Sequence, residues 1–300
     1  MKRSLLVVLH GKQAGNLDVR RAVSAVRNRG HRVEVRVTWE AGDAARIVRE
    51  AIAMSIDTVI AGGGDGTINE VTQTLVAANA AAKVSLGFLP LGTANDFAHS
   101  TGIPLEPEAA LQLIIDAPAT PIDVGRVGDR SFLNVATGGF GTTVTVETPP
   151  EMKRLLGGTA YLLTGLRRFN SIRSSAGRVS APGFEWTGKF LVLAVGNGRQ
   201  AGGGHVLCPD AKLNDGLLDV GILPEVQRTE LPKVLDQLLH EGFSAIERVA
   251  VRARVPWLEL QAESDLHLNL DGEPITAKQF RIEAQSAAVR AHLPPSEMLI

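Results

Sequence analysis

The chain is short of cysteine, of net charge and of long apolar runs. One cysteine among 300 residues, Cys208, excludes an internal disulfide and suits a reducing compartment. A formal net charge of −1 gives no global pull toward nucleic acid. No stretch approaches the ~18 apolar residues of a membrane-crossing helix. The start, Met1 to Lys12, is charged, but its apolar core, Leu5 to Leu9, is too short for a signal peptide. These absences predict a cytoplasmic protein whose membrane contact is peripheral. Chemistry is missing too. The seven histidines show no metal-binding spacing and no H-E-x-x-H, so they read as surface or helix-end residues. No G-x-S-x-G occurs, which removes support for an esterase triad.

What is present is glycine in the right places. Val59 to Glu70 reads as strand, glycine turn and helix: an apolar run enters, Gly62, Gly63, Gly64 and Gly66 follow, and Ile68, Val71 and Leu75 then recur at helical spacing. Glycines let a ligand approach the backbone, and a helix start brings free N–H groups and a positive dipole end. No Lys-Ser/Thr closes the turn, so it is not a Walker loop. Thr67 stands where a dinucleotide fingerprint has its last glycine, and the turn follows the third strand instead of the first. Asp65 reads as a buried carboxylate inside this turn. A carboxylate beside phosphates implies a metal ion or a fixed hydrogen bond.

Strands at Leu5–His10, His31–Trp39, Thr58–Ala61 and Val84–Leu89 alternate with helical patterns carrying Val19, Val23 and Val26, then Ile47, Val48 and Ala51. Asp43 is the expected N-cap of the second helix. This alternation predicts a parallel sheet with helices on both faces and ligands outside the strands' carboxyl ends. That edge would gather the turn His10–Asn16, the glycine turn, and Pro90-Leu91-Gly92-Thr93-Ala94-Asn95-Asp96. In the last of these, Asn95 or Asp96 is expected to cap a short helix.

Beyond a helix over Pro107–Ile115 the strands become short and closely spaced, the pattern of an antiparallel sandwich. The predicted strands are Pro121–Val127, Phe132–Ala136, Phe190–Val195, Leu217–Ile222, Val249–Val255, Trp257–Gln261, Leu266–Leu270, Gln279–Ala284 and Ala288–His292. Helices are expected at Pro150–Asn170 and Thr229–Glu241. The expected fold is α/β: a first domain over 1–125, rejoined by 293–300, and a β-sandwich domain over 126–292.

Three stretches of the second half invite chemistry. Gly196 to Gly204 holds five glycines in nine residues and reads as a loop over a ligand. Asn214-Asp215-Gly216 is either a plain turn or a cation site in which Asp215 and backbone carbonyls hold a hard cation. Asn269-Leu270-Asp271-Gly272-Glu273-Pro274 would place Asp271 and Glu273 on one side of an extended chain, with Glu273 free to act as a general base. Separately, Met152 to Arg178 carries Lys153, Arg154, Arg167, Arg168, Arg173 and Arg178 without one acidic residue. A basic amphipathic helix there can pack inward or meet an anionic membrane.

These motifs resemble a known family. Gly63-Gly64-Asp65-Gly66-Thr67 with Asn69-Glu70, and Leu91-Gly92-Thr93-Ala94-Asn95-Asp96-Phe97-Ala98, resemble the catalytic domain of diacylglycerol kinases and related lipid kinases. Gly196–Gly204, Cys208-Pro209, Asn214-Asp215-Gly216 and Leu270-Asp271-Gly272-Glu273-Pro274 are similar to bacterial YegS-like members in particular. The resemblance spans essentially the whole chain. It implies an ATP-binding α/β domain like that of phosphofructokinases, a β-sandwich domain, and transfer of the γ-phosphate of ATP to a lipid hydroxyl such as that of a diacylglycerol or phosphatidylglycerol. Thr38, Gly64, Asp65, Gly66, Thr67, Ile68, Asn69, Glu70 and Thr93 would hold ATP. Asp65, Asp96 and Asp123 would surround a catalytic Mg2+. Glu273 would be the catalytic base, with Asp271, Asp65 and Asp96 the other acids of the reaction. Lys212, Asp215 and Leu217 would hold a second cation, Mg2+ or Ca2+, the first and last through backbone carbonyls. The lipid would reach down a cleft between the domains. Relatives carry Asn-Pro-x-x-Gly after the first strand, whereas His10-Gly11-Lys12-Gln13-Ala14-Gly15 stands here. The rival expectations are a soluble kinase such as an NAD kinase and a nucleotide-binding regulator without catalysis.

Overall fold

A computed structural model describes residues 2–139 and 174–299. The expected helix Pro150–Asn170, and all of the basic stretch Met152–Arg178 before residue 174, lie outside the described residues. The chain divides into two compact units, Met1–Val124 with Ser286–Ile300, and Gly125–Gln285.

The first unit is built on parallel strands: β1 (Ser4–Leu9), β2 (Arg32–Val37), β3 (Thr58–Gly63) and β4 (Ser85–Pro90). Their spatial order is β2-β1-β3-β4, every pair parallel. Helices α1 (Leu17–Asn28), α2 (Asp43–Ala53), α3 (Asp65–Ala77), the short α4 (Asp96–Thr101) and α5 (Pro107–Asp116) fill the connections. Strand alternation separates the faces. Leu5, Val7 and Leu9 join Val19, Val23 and Val26 of α1 and Ala110, Leu111 and Ile114 of α5 in one core. Helices α2 and α3 pack against each other. Successive connections run one way from β1 to β2 and the other way from β3 to β4. The order therefore reverses between β1 and β3, and ligands of such sheets bind outside the carboxyl ends of the strands at that switch point.

Two boundary findings differ from the sequence reading. Gly62 and Gly63 belong to β3, each paired in register with β4, so the turn is shorter than its glycine content suggests. Asp43 is not an N-cap. It is the first residue of α2, behind Gly42 with φ 86°, and its carboxylate turns back to accept the N–H groups of Trp39 and Glu40.

The chain returns to the first unit through the last strand, β15 (Glu273–His292), whose Ala291 pairs in parallel with Leu86 of β4. His292 anchors it. That ring is 2% exposed and hydrogen-bonds Ser85 Oγ at 2.9 Å and the Ala117 carbonyl at 2.8 Å. Burial lowers its pKa and keeps it neutral. At least one histidine is thus a core residue, against the surface expectation.

The second unit is antiparallel, ordered β13-β12-β9-β7-β14-β15. The strands are β5 (Ala119–Val127) paired with β6 (Arg130–Phe132), β7 (Val135–Gly139), β8 (Ser175–Ala181), β9 (Phe184–Gly196), β12 (Leu218–Pro224), β13 (Val251–Val255) and β14 (Trp257–Leu270), while β10 (Gln200–Ala201) and β11 (His205–Val206) form a small hairpin. Long β9 and β14 each pair with β8 over one half and β7 over the other. Strand β8 was not foreseen. The four short strands expected over Trp257–His292 are two long ones, β14 keeping its course through an irregularity between Gln261 and Leu266. Leu193 and Val195 point into one core with Val220, Leu258 and Ile282. Ala194 points the other way, against Leu235, Leu238 and Phe243 of α6 (Leu231–Glu241) and the turn after it.

Candidate functional site

The turn from β3 into α3 is shaped by what glycine leaves out. A Cβ on Gly92 would sit 2.5 Å from Gly64 Cα, so the two turns touch backbone to backbone. Gly64 is the cap position of α3 and has no side chain to close the helix start. The first helical acceptor bond is Ile68 N–H to Gly64 carbonyl, at 3.1 Å. The N–H groups before Ile68 have no acceptor in the helix ladder. The roles within 64–70 therefore divide. Gly64 to Thr67 offer the helix start. Ile68 is a core anchor at 1% exposure, and Glu70 is exposed. Asn69 is 5% exposed, and its Oδ1 has no hydrogen-bond partner among the described residues. Thr93 is exposed on the facing turn.

Asp65 is half-buried and opens α3, a correction to the expectation of a buried residue within the turn. One carboxylate oxygen accepts the Phe97 N–H at 3.3 Å. Burial, and then the charge of Asp96, raise its pKa. The structure thus brings Asp65 and Asp96 together across two turns. Asp123, on β5, instead gives an oxygen to the Ala287 N–H at 2.8 Å. Asn95 sits at the cap of α4 with φ 50° but does not cap it by side chain. Its amide folds back on Gly92, accepting the N–H at 2.9 Å and donating to the carbonyl at 3.1 Å.

Thr38 lies just past β2 at the same sheet edge. Its N–H reaches the Leu9 carbonyl at 2.9 Å and its Oγ1 accepts the Gly11 N–H at 3.2 Å. A Cβ on Gly11 would lie 2.5 Å from the Thr38 carbonyl oxygen. Gln13 Nε2 also reaches the Leu91 carbonyl at 2.8 Å, tying the first turn to the turn after β4.

In the second unit, Asp271 and Gly272 have φ of 49° and 101° and link Leu270 to Glu273 as a two-residue hairpin turn. Asp271 and Glu273 therefore do not lie on one side of an extended chain. The Asp271 carboxylate turns inward and accepts three consecutive N–H groups, Leu133 at 2.6 Å and Asn134 and Val135 at 3.1 Å. Those bonds hold the break between β6 and β7, which the sequence reading ran together as one strand. Asp271 is a positioning residue here. Glu273 is exposed at the first position of β15.

Asp215 Oδ1 accepts the Leu217 N–H at 2.9 Å, and its other oxygen pairs with Arg254. Arg254 also lies 3.4 Å from Asp219 Oδ2, a buried oxygen that no hydrogen bond reaches. Burial raises the Asp219 pKa to about 6, against the opposing charge of Arg254. Among the described residues no three His, Cys, Asp or Glu side chains form a metal-holding group. A cation beside Asp215 would rely on backbone carbonyls, such as those of Lys212 and Leu217. The Gly196–Gly204 segment runs from the end of β9 through β10 into the turn of the β10–β11 hairpin, and the Arg199 carbonyl accepts the Leu207 and Cys208 N–H groups. Burial pushes the Cys208 thiol up and leaves it inert. Arg178 lies on β8 and pairs with Glu185. Sequence reasoning missed Arg254 and the Leu133–Val135 break, which nothing local marks, and gave Asp43 the wrong role.

Comparison with known proteins agrees with this division. The diacylglycerol kinase catalytic domain matches residues 4–127, and the YegS C-terminal NAD kinase β-sandwich-like domain matches 135–292. A protein of Pseudomonas aeruginosa strain UCBPP-PA14, described as "probable lipid kinase YegS-like", is 55% identical over 100% of this chain and 97% of its own length. A protein of the same description from Pseudomonas fluorescens Pf-5 is 52% identical over 100% and 98%. A crystal structure of a diacylglycerol kinase from Bacillus anthracis str. Sterne, 23% identical, superposes with a TM-score of 0.79 over 98% of both chains, a likeness of fold. With both domain models matched in order and curated relatives more than half identical over the whole chain, the chain belongs to the family of YegS-like lipid kinases with a diacylglycerol kinase catalytic domain.

Proposed function

We propose that this chain transfers the γ-phosphate of ATP to the hydroxyl of a membrane lipid resembling diacylglycerol or phosphatidylglycerol. The observation that carries the reading is Gly66. It is the second residue of α3, has no positive φ, and a Cβ there would meet nothing within 4 Å. Glycine in a helix costs roughly 0.5–1 kcal/mol against alanine. Nothing among the described residues asks for that cost, whereas a phosphate held against the Gly66 and Thr67 N–H groups does. The orphaned Asn69 Oδ1 beneath the same turn agrees with a polar ligand.

In this reading Gly64 to Thr67, with Thr93 and Thr38, hold the nucleotide. Asp65 and Asp96 fit a hard divalent cation, since their mutual repulsion falls when one binds and both offer oxygen. Magnesium there would neutralise phosphate charge. Glu273 takes the proton of the lipid hydroxyl. The hydroxyl oxygen bonds the γ-phosphorus, the bridge to the β-phosphate breaks, and ADP leaves with that electron pair. Asp271 holds the turn that presents Glu273. Asp215, with the Lys212 and Leu217 carbonyls, would hold a second Mg2+ or Ca2+, which would stabilise the second unit. No helix among the described residues is long and apolar enough to cross a membrane. In this reading the lipid is met at the membrane surface, with the basic stretch Met152–Arg178 as the candidate contact.

The purified chain, labelled ATP and a total lipid extract test this. A labelled phospholipid that Glu273→Gln does not make is the expected result. Label appearing in NAD or a soluble sugar and in no lipid would move the chain to a different acceptor class.

A further inference from the structure

We propose that Trp39 is the stacking platform for the base of the bound nucleotide. Trp39 is 94% exposed, far beyond any other large apolar side chain among the described residues. Fully exposed tryptophan forgoes the burial of some 150–250 Å² of apolar surface. Such a residue on a frayed loop would mean little. This one is held from both sides. Thr38 is tied to Leu9 and Gly11, and the Trp39 and Glu40 N–H groups both enter the Asp43 carboxylate, at 2.7 and 3.1 Å. Arg46 locks that carboxylate in turn, at 2.7 Å. A rigid backbone carrying an exposed aromatic loses little conformational entropy when a ring lies on it.

Its place in the sheet selects the occupant. Trp39 follows β2, whose carboxyl end lies two strand spacings from that of β3, roughly 10 Å. The phosphate cradle follows β3. A ribose and triphosphate span that distance along the sheet edge, passing the Gly11–Thr38 contact. Two further exposed apolar side chains flank the same edge, Val37 at the end of β2 and Leu17 at the start of α1. The matching ligand is a planar heteroaromatic base with an anionic tail. Stacking tolerates any base, so Trp39 contributes affinity without choosing adenine over guanine.

This rests on the nucleotide reading, and the test separates the two. ATP and inorganic triphosphate are titrated by calorimetry into wild type, Trp39→Ala and Trp39→Phe, and ATP is followed by tryptophan fluorescence. Trp39→Ala is expected to bind ATP about 5- to 150-fold more weakly, with Trp39→Phe restoring most of the loss and triphosphate affinity unchanged. ATP should quench wild-type emission and leave that of Trp39→Ala unaltered. Equal ATP affinity in wild type and Trp39→Ala overturns the inference while leaving the cradle intact. Absence of both ATP and triphosphate binding in wild type overturns the nucleotide reading and the inference together. A blue shift of Trp39 emission with nucleotide-free phosphatidylglycerol vesicles, and none with ATP, would make Trp39 a membrane contact instead.

Discussion

Replacing Gly66 by alanine should push stability and activity in opposite directions. In the free protein the added methyl meets no atom within 4 Å, and the backbone needs no left-handed conformation there. Helix propensity alone then stabilises the fold by up to about 0.5–1 kcal/mol, the value for a helix interior. For a unit of this size that raises the melting temperature by about 2–4 °C. A phosphate oxygen approaching the Gly66 N–H would lose its place to the methyl. A hydrogen bond to a charged group contributes roughly 1.5–3 kcal/mol. Its loss predicts ATP binding weaker by about 10- to 150-fold. Calorimetric melting without nucleotide and an ATP titration give the two numbers on one preparation. A Gly66→Ala protein that melts higher and binds ATP as wild type does would refute the cradle. A protein that melts lower would show a packing role the structure does not contain.

Asp271→Ala should lower the melting temperature by several degrees, because three N–H groups lose one charged acceptor at roughly 1.5–3 kcal/mol each before non-additivity. Asp271→Asn keeps tolerance of positive φ and should fall between, with kcat reduced more than the KM for ATP; equal melting of all three proteins would dismiss the pin. Arg254 occupies one side of Asp215, so Arg254→Met should enlarge the rise in melting temperature caused by magnesium and Asp215→Ala should abolish it; a magnesium effect indifferent to both changes would place the cation elsewhere. Asp43 is held near pKa 2, first by the Arg46 hydrogen bond and then by the Trp39 and Glu40 N–H groups. Its folded value lies below its unfolded one, so its contribution is full above about pH 4 and is lost as pH falls toward 2. Asp43→Asn should flatten the acid limb of a pH–stability curve in that window, and an unaltered limb would show the bonds to be too weak to matter.

Much of the first unit was legible before any coordinate. Alternating strand and helix periods name a parallel α/β sheet because each period matches one face buried on the other. The glycine turn announces itself because only glycine permits such close backbone approach, and a Cβ on Gly92 would indeed lie 2.5 Å from Gly64 Cα. A count of one cysteine likewise marked Cys208 as a lone thiol. Tertiary structure alone decided where side chains of those turns go. Asp271 looked like a partner for Glu273, but positive φ at two residues swings its carboxylate onto an N–H run 136 to 138 residues away. Asp43 looked like a cap, yet it faces backward because Gly42 takes the cap position. Arg254 reaches Asp215 across 39 positions, and Trp39 stays in water because no element among the described residues is laid over it. Local periodicity reports which face a residue takes within its own element. Which distant backbone or charge meets that face depends on how strands are ordered and paired, and no short window of sequence contains that order.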